Sequence, residues 1–193
     1  GRKGRKYRVT LNPYPIFPSH LVISGFDHTP QSIWHRYQDL LDFVKENQEY
    51  LGFYNGPQSG ASAPDHMHFQ ACPQGLMPLQ NRLDELLDAG EGGTLKFLTN
   101  VKEARLFQLD EYARGVFVLR GTTAKSTAKL FYRLLDCAPV PEDSDEPRLN
   151  LFWVLVSLQM ISFSVASLAA TSSTTCERIL ESSLSKSSFS GTT

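Results

Sequence analysis

The chain has 193 residues, of which 41% are hydrophobic, and a formal net charge of −1. This length and apolar content predict one compact domain of ordinary size. The nearly balanced charge excludes a general attraction to nucleic acid. Three cysteines without metal-ligand spacing favour a reducing, cytoplasmic compartment over a disulfide framework.

The first residues are basic and carry neither an initiator Met nor a signal peptide. A basic terminus of this kind is typically solvated rather than a phosphate-binding segment. Because the first strand begins almost at once, we expect a fragment that lacks its natural N-terminus.

Hydrophobic periodicity and turn residues predict the elements of the first half. The helix is expected to begin at Thr29, as N-cap, with Pro30 at the first helical position. In chain order the elements are a strand over 7–11, a proline-rich connector over 12–18, a strand over 20–24, a helix to about 47, strands over 51–54 and 65–72, and a helix over 78–88.

The second half repeats the order strand, strand, helix, strand. Its elements are strands over 105–109 and 115–120, a helix capped by Thr122 or Thr123 that ends near 137, and a strand over 149–156. An α+β fold follows, with a second half that is a divergent or incomplete repeat of the first.

Residues 157–193 form a different kind of segment, with 12 Ser and five Thr among 37 residues. This composition predicts a poorly ordered tail. A transmembrane helix over 149–170 would be long enough, but its serines, Asn150 and Gln159 weaken that reading, and nothing earlier requires a membrane. A frameshift after about Val154 is a further hypothesis, which resequencing of the gene would decide.

The most informative motif lies at the start of the predicted strand 65–72. Alternation in a strand places His66, His68 and Gln70 on one face and directs Met67, Phe69 and Ala71 into a core. Two imidazoles and a carboxamide beside a loop rich in free backbone N–H groups suit attack by histidine on a phosphorus atom.

Within this motif, His68 is the expected nucleophile because a neutral imidazole predominates at pH 7. Its second ring nitrogen needs an acceptor, for which a backbone carbonyl near His66 is suitable. The Gln70 amide is expected to donate to a phosphoryl oxygen. The alternative is that two exposed histidines on a strand face have no catalytic role or bind a metal.

The loop before the motif has the composition of a phosphate cradle. Ser59, Gly60 and Ser62 combine a close backbone approach with hydroxyl donors, although such loops are often only turns. Asn55 is either a polar contact or an Asx-turn residue. His20 is a candidate site residue or a core histidine of an apolar strand.

Three segments together resemble the histidine-triad (HIT-like) superfamily. The chain is most similar to its nucleotidyltransferase and phosphorylase branch, which contains galactose-1-phosphate uridylyltransferase, diadenosine tetraphosphate phosphorylase and GDP-L-galactose phosphorylase, and especially to uncharacterised bacterial members. The segments are Asn12-Pro13 with Pro18-x-His20-Leu21-Val22-Ile23, Tyr54-Asn55-Gly56 with Ser59-Gly60-Ala61-Ser62, and His66-x-His68-x-Gln70.

The resemblance implies a HIT-like antiparallel sheet with packed helices, with a catalytic module over 1–90, a partial second half over 91–156 and the tail over 157–193. It implies that His68 carries a covalent nucleotidyl group, that Gln70 holds a phosphoryl oxygen and that His66 supports the site. Ser59, Gly60 and Ser62 would line the phosphates, and Asn12 would lie near the nucleotide.

The implied reaction is nucleotidyl transfer or phosphorolysis on a nucleoside diphosphate-sugar or a dinucleoside polyphosphate. Phosphate or a sugar phosphate would be the acceptor. No cofactor or metal is required, and Mg²⁺ is the ion expected to accompany the phosphates. A nucleotide hydrolase of the same superfamily and a non-catalytic nucleotide-binding module are the alternatives. An incomplete second half would expose Leu151, Phe152 and Trp153, which predicts homodimerisation or aggregation.

Overall fold

The computed structural model describes residues 4–88, 94–110, 115–156 and 159–166. Twelve helices and strands lie in these ranges. They are β1 (Tyr7–Leu11), β2 (Leu21–Gly25), α1 (Tyr37–Glu46), β3 (Tyr50–Asn55), β4 (His68–Pro73), α2 (Pro78–Asp88), β5 (Leu95–Val101), β6 (Ala104–Leu109), β7 (Gly115–Gly121), α3 (Ala124–Cys137), β8 (Leu149–Val156) and β9 (Gln159–Ala166).

The strands form one sheet in the order β1-β2-β4-β3-β8-β9-β7-β6-β5, and every pairing is antiparallel. The unit β1-β2-α1-β3-β4 has the same strand order as the unit β6-β7-α3-β8-β9. The two units meet where β3 pairs with β8. The predicted α+β fold, with helices packed on an antiparallel sheet and a repeated second half, is confirmed.

Both faces of the sheet carry a core. On one face α1 and α3 pack together over the middle strands, where the rings of Tyr37 and Phe131 stack with centroids 4.1 Å apart and Trp153 is fully buried. On the opposite face α2 contributes Leu83 to a second apolar cluster with Phe53. Strand β4 contributes Phe69 and Ala71 to the first core and Cys72 to the second, so its polar residues lie at the edge of the second core.

Helix α1 begins at Tyr37, so the expected start at Thr29 and Pro30 is wrong. The backbone of the preceding segment is used in tertiary hydrogen bonds instead of helical ones. The carbonyl of Thr29 accepts from the Met67 N–H at 2.7 Å, and the Gln31 N–H donates to the Pro64 carbonyl at 2.9 Å. This segment therefore lies beside the motif strand instead of forming the first turns of the helix.

Two strands were not predicted, β5 and β9. Residues 159–166 were expected in a poorly ordered tail, but the structure pairs β9 with both β8 and β7 inside the sheet. Residues 161–165 of this strand do alternate apolar and serine side chains, but the serine-rich composition of the whole segment outweighed that short pattern. The rest of the tail lies outside the described residues. The division of the chain into segments that end at residues 90 and 156 stays a prediction. Strand β8, from the second segment, pairs with β3 of the first in one sheet.

The membrane-spanning alternative over 149–170 falls mainly on β8 and β9. Residues 157–158 and 167–170 of this stretch lie outside the described residues. Among the helices that the structure describes, none has the length and apolar character needed to cross a membrane.

Candidate active site

The motif strand β4 lies between β2 and β3, and its register places polar residues of four strands in one row. Ser24 is opposite His68, and the β3–β4 register, continued by two residues, brings Asn55 opposite His68 on the other side. Asn55 is in turn opposite Asn150 of β8. Directly opposite residues share a face of a sheet, so these four side chains lie on the same face.

The His68 ring is held through one of its two nitrogens. Its Nδ1 lies 2.9 Å from the carbonyl oxygen of His66. A carbonyl only accepts, so Nδ1 carries the proton and Nε2 keeps its lone pair. The residue is only 6% exposed, which limits the access of water to this nitrogen. The carbonyl acceptor that the sequence analysis expected for His68 is therefore present.

A second residue, Gln31, fixes the backbone of the same histidine. Its Oε1 accepts from the His68 N–H at 2.8 Å, and its Nε2 donates to the His68 carbonyl at 3.0 Å. The same Nε2 donates to the Asn55 carbonyl at 2.9 Å. Gln31 is 3% exposed, and its side chain thus takes the place of a neighbouring strand at the point where β4 begins. Gln31 was not predicted as a site residue, because one glutamine in an irregular segment has no periodic signal.

Gln70 is oriented by a chain of hydrogen bonds from the proline-rich connector. The Ile16 N–H lies 3.3 Å from Nδ1 of His20, which assigns Nδ1 as the acceptor and Nε2 as the protonated nitrogen. Nε2 of His20 then donates to Oε1 of Gln70 at 2.8 Å. The Gln70 NH₂ group is left as a donor on the His68 face. His20 is thus both a buried histidine and a contact of the motif, so its two alternative readings are compatible.

Asn12 belongs to the same chain of contacts. Its Nδ2 lies 3.3 Å from Nδ1 of His20, and its Oδ1 accepts from the Tyr14 N–H at 2.9 Å. The structure therefore brings Asn12 to the motif through His20. Its expected place near the nucleotide stays a prediction.

His66 lies just before β4, and its ring contacts different groups from that of His68. Its Nε2 donates to the Gly25 carbonyl at 2.9 Å, and its ring lies 4.7 Å from that of His28. Its backbone carbonyl supplies the acceptor for His68. Its contribution to the geometry of His68 is made by the main chain.

The loop between β3 and β4 begins in close contact with the second half. The Gly56 N–H donates to the Leu149 carbonyl at 3.1 Å, and a Cβ at this position would lie 2.9 Å from the same oxygen. Only glycine allows this approach without a backbone shift. Gly60 has a φ of +97°, which also favours glycine.

The two loop serines differ in their surroundings. Ser62 is exposed. The Ser59 Oγ is buried, and no hydrogen-bond partner for it exists among the described residues. Because a buried hydroxyl without a partner is unfavourable, Ser59 is the loop side chain that a bound ligand would satisfy.

Glu146, in the acidic loop before β8, is a buried carboxylate beneath this site. It is 1% exposed, and it accepts from the Tyr54 hydroxyl at 2.7 Å and from the Ile33 N–H at 2.8 Å. Burial raises the pKa of Glu146 above its ordinary value of 4.5. Burial, and after it the nearby Glu146 carboxylate, also raise the pKa of Tyr54. The sequence of this loop is acidic throughout and gives no signal that one of its carboxylates is buried.

The raised pKa of Glu146 predicts a specific dependence of stability on pH. Its native state holds the proton more tightly than the unfolded chain, so its contribution is greatest below pH 4.5 and declines as the pH rises through the raised pKa. The unfolding free energy of wild type relative to Glu146→Gln should therefore fall as the pH rises from 4 towards 7. Urea titrations at several pH values check this, with Glu142→Gln, at an exposed position of the same loop, as the control. A difference in unfolding free energy that does not change with pH would contradict the raised pKa of Glu146.

The predicted residues thus fall into one neighbourhood around β4. Asn55, His20, Asn12 and Gln70 are linked to it by hydrogen bonds, and the loop with Ser59 abuts it. Within the described part of the chain, no group of three or more His, Cys, Asp or Glu residues is placed to hold a metal ion. The chemistry available is that of one imidazole with a free lone pair beside neutral donors.

Comparisons with known proteins give relatives for the part that carries this site. A family model described as Domain of unknown function (DUF4922) matches residues 2–73. Protein APA1 of Saccharomyces cerevisiae is 34% identical over 95 residues, 43% of this chain and 29% of the relative. Diadenosine 5',5'''-P1,P4-tetraphosphate phosphorylase 2 of the same yeast is 34% identical over 94 residues, 40% of this chain. The chain thus spans 29% of the length of each curated relative.

Solved structures share the whole architecture at low sequence identity. A DUF4931 family protein from Bacillus cereus ATCC 10987 superposes with a TM-score of 0.56 at 15% identity, over 92% of this chain and 94% of that one. A uridylyltransferase superposes with a TM-score of 0.54 at 14% identity, over 96% of this chain and 88% of that one. These likenesses establish the fold. Together, the yeast relatives and the shared fold confirm the resemblance of this chain to the nucleotidyltransferase and phosphorylase branch of the HIT-like superfamily.

Proposed function

We propose that this chain catalyses nucleotidyl transfer or phosphorolysis through a covalent nucleotidyl-histidine on His68. The observation that carries the proposal is the hydrogen bond between His68 Nδ1 and the His66 carbonyl. It holds the ring with Nε2 unprotonated, as a nucleophile requires. Three other contacts, made by Gln31 and His20, keep the surrounding strand and amide in place.

The reaction has two displacements at one phosphorus. First, Nε2 of His68 bonds to the α-phosphorus while the bond to the leaving oxygen breaks, and the leaving sugar phosphate or nucleotide takes the electron pair. Second, an oxygen of phosphate or of a sugar phosphate bonds to the same phosphorus, and the P–N bond breaks to restore the imidazole. Two displacements of this kind divide one difficult step into two easier ones.

Neutral donors of the site suit the charge that develops in both steps. With Oε1 accepting from His20, the Gln70 NH₂ group can donate to a phosphoryl oxygen without a change in its own charge. The unpartnered Oγ of Ser59 and the backbone N–H groups near Gly60 supply further donors. A metal is not needed for these roles, and Mg²⁺ enters the proposal only as an ion carried by the polyphosphate.

The substrate class rests on the relatives. A yeast phosphorylase whose name specifies diadenosine tetraphosphate is 34% identical to this chain over 94 residues, which favours a dinucleoside polyphosphate as the first donor to test. The uridylyltransferase fold keeps nucleoside diphosphate-sugars in the same panel. Both donors contain a nucleotidyl group linked to a phosphate leaving group, so the same attack by His68 serves either.

Intact-protein mass spectrometry tests the proposal directly. The chain is incubated with diadenosine tetraphosphate and with UDP-, GDP- and ADP-sugars, each with and without Mg²⁺. The expected result is a mass increment of one nucleotidyl group, that is, a nucleoside monophosphate less one water, which also identifies the base. No increment with any donor, in protein shown to be folded by circular dichroism, would overturn the covalent mechanism.

Phosphate dependence separates phosphorolysis from hydrolysis. If the intermediate is transferred, added phosphate should release a nucleoside diphosphate from the labelled enzyme, and a sugar phosphate should release a nucleoside diphosphate-sugar. A hydrolase would release the monophosphate at the same rate with or without these acceptors. Nucleotide binding with no chemistry would instead favour a binding module.

A further inference from the structure

Strand β8 of the second half supplies one polar side chain to the row that contains His68. It is Asn150, which is directly opposite Asn55 at the junction between the two repeated units. The remaining residues of β8 are apolar, in the sequence Leu-Asn-Leu-Phe-Trp-Val-Leu-Val. An amide at this position therefore has no explanation in the packing of a core strand.

The surroundings of Asn150 assign the orientation of its amide. One end of the amide lies 2.8 Å from the Ser59 carbonyl, 3.0 Å from Oδ1 of Asn55 and 3.3 Å from the Leu149 carbonyl. Three acceptors surround this end, so it is the NH₂ group. Asn150 thus donates both to the loop backbone at Ser59 and to the side chain of Asn55.

These contacts have a consequence for Asn55. Its Oδ1 is occupied by Asn150, and its backbone carbonyl accepts from Gln31 at 2.9 Å. The Asn55 NH₂ group is then available as a donor on the face that it shares with His68. Asn150 also donates to the backbone carbonyl of Ser59, the residue whose buried Oγ has no hydrogen-bond partner.

The strand that corresponds to β4 in the second unit is β9, and its sequence Gln-Met-Ile-Ser-Phe-Ser-Val-Ala contains no histidine. The described part of the second half therefore offers no imidazole of its own. We propose that Asn150 is a positioning residue of the His68 site: its amide fixes the Asn55 carboxamide and the Ser59 backbone, so that the second half completes the phosphate cradle of the first. This inference rests on the proposed function.

The first experiment compares the rate of nucleotidyl-His68 formation in Asn150→Ala with that in wild type. Loss of the two contacts should slow labelling about 10- to 100-fold, since small displacements of positioning groups have effects of this size. The thermal midpoint should stay close to that of wild type. Asn100→Ala is the matched control, because that exposed amide donates only to the Lys102 carbonyl, in the turn between β5 and β6.

A double-mutant cycle distinguishes positioning from a general structural effect. If Asn150 acts through Asn55 and the adjoining loop, Asn150→Ala should slow labelling much less in an Asn55→Ala background than in wild type. Equal slowing in both backgrounds, or labelling of Asn150→Ala at the wild-type rate, would overturn the inference. Asn150→Thr keeps one donor in a residue that suits a strand, and it replaces Asn150→Ala if that variant fails to fold.

Equilibrium binding keeps the inference testable if wild type forms no adduct. The dissociation constant of diadenosine tetraphosphate is measured for His68→Ala and for His68→Ala with Asn150→Ala. A weaker complex in the second protein supports the positioning of the cradle even where the covalent mechanism has failed. Equal dissociation constants, or no binding by either protein, overturn it.

Discussion

Replacing His68 by alanine is expected to abolish the covalent nucleotidyl-enzyme and to lower turnover by on the order of 10⁴-fold or more. The loss is large because the substitution removes the attacking nitrogen itself, while the other two imidazoles of this neighbourhood are held in different places. His66 donates its Nε2 proton to the Gly25 carbonyl, and His20 is held between the connector and Gln70. Each ring is thus fixed in a contact that differs from that of His68.

His68→Ala should leave the fold intact. The ring makes one hydrogen bond, to the His66 carbonyl, while the backbone contacts with Gln31 do not depend on the side chain. A loss on the order of 1 kcal/mol in unfolding free energy is expected. Activity and stability can therefore be separated in the same protein, by intact mass for the adduct and by urea titration for the fold.

His35→Asn provides the matched control for His68→Ala. It also removes an imidazole, but from an exposed position before α1, and asparagine tolerates the φ of +63° found there. Labelling at the wild-type rate is expected. If His68→Ala still acquires the nucleotide mass, another residue is the nucleophile. If His68→Ala binds nucleotide as tightly as wild type and neither protein catalyses a reaction, the chain is a nucleotide-binding module.

The sequence predicts a helix well where the hydrophobic periodicity and a capping residue agree on its bounds. Helix α3 starts after Thr123, whose hydroxyl accepts from the Ser126 N–H, and α2 has the bounds that its leucine spacing predicted. Strand β9 was missed although residues 161–165 alternate apolar and serine side chains, because the composition of the surrounding segment is typical of a disordered tail. Local propensity carries no information on the partners β7 and β8 that stabilise such a strand.

The site shows the same division between local and distant information. His68 and Gln70 were predicted because two positions in one strand share a face, and the carbonyl contact of His68 is local as well. The residues that hold them come from distant segments: Gln31 is 37 positions from His68, and Glu146 is 92 positions from Tyr54. No periodic pattern of one sequence links such pairs, so only the fold reveals them.

The incorrect helix start is the most instructive of these differences. Thr29 and Pro30 have the residue types of a helix N-terminus, and those preferences are real but weak. Several tertiary hydrogen bonds compete with them, including the bond from the Ile33 N–H to Glu146. The site therefore determines the local structure of this segment.

Gln31 is expected to show the largest effect on stability in the site. Gln31→Met keeps a side chain of similar length but removes both the acceptor for the His68 N–H and the donor to two carbonyls. Each buried backbone group that loses its partner costs roughly 1–3 kcal/mol. We expect a loss of about 3 kcal/mol in unfolding free energy, measured by urea titration. Gln48→Met, at an exposed amide that bonds only to the Lys45 carbonyl, is the matched control and should change stability by less than about 0.5 kcal/mol.

The same substitution should slow formation of the nucleotidyl-enzyme. Without the hydrogen bonds of the Gln31 side chain, the start of β4 can move relative to the loop. His68 Nε2 then no longer keeps a fixed distance from the phosphorus atom of the substrate. Gln31→Glu offers a second test, because a carboxylate keeps the acceptor for the His68 N–H but faces the two carbonyls without a proton to donate. It should be destabilised at pH 7 and recover as the carboxyl is protonated at lower pH. Wild-type stability for Gln31→Met, together with wild-type labelling, would show that the backbone of His68 needs no support from outside the sheet.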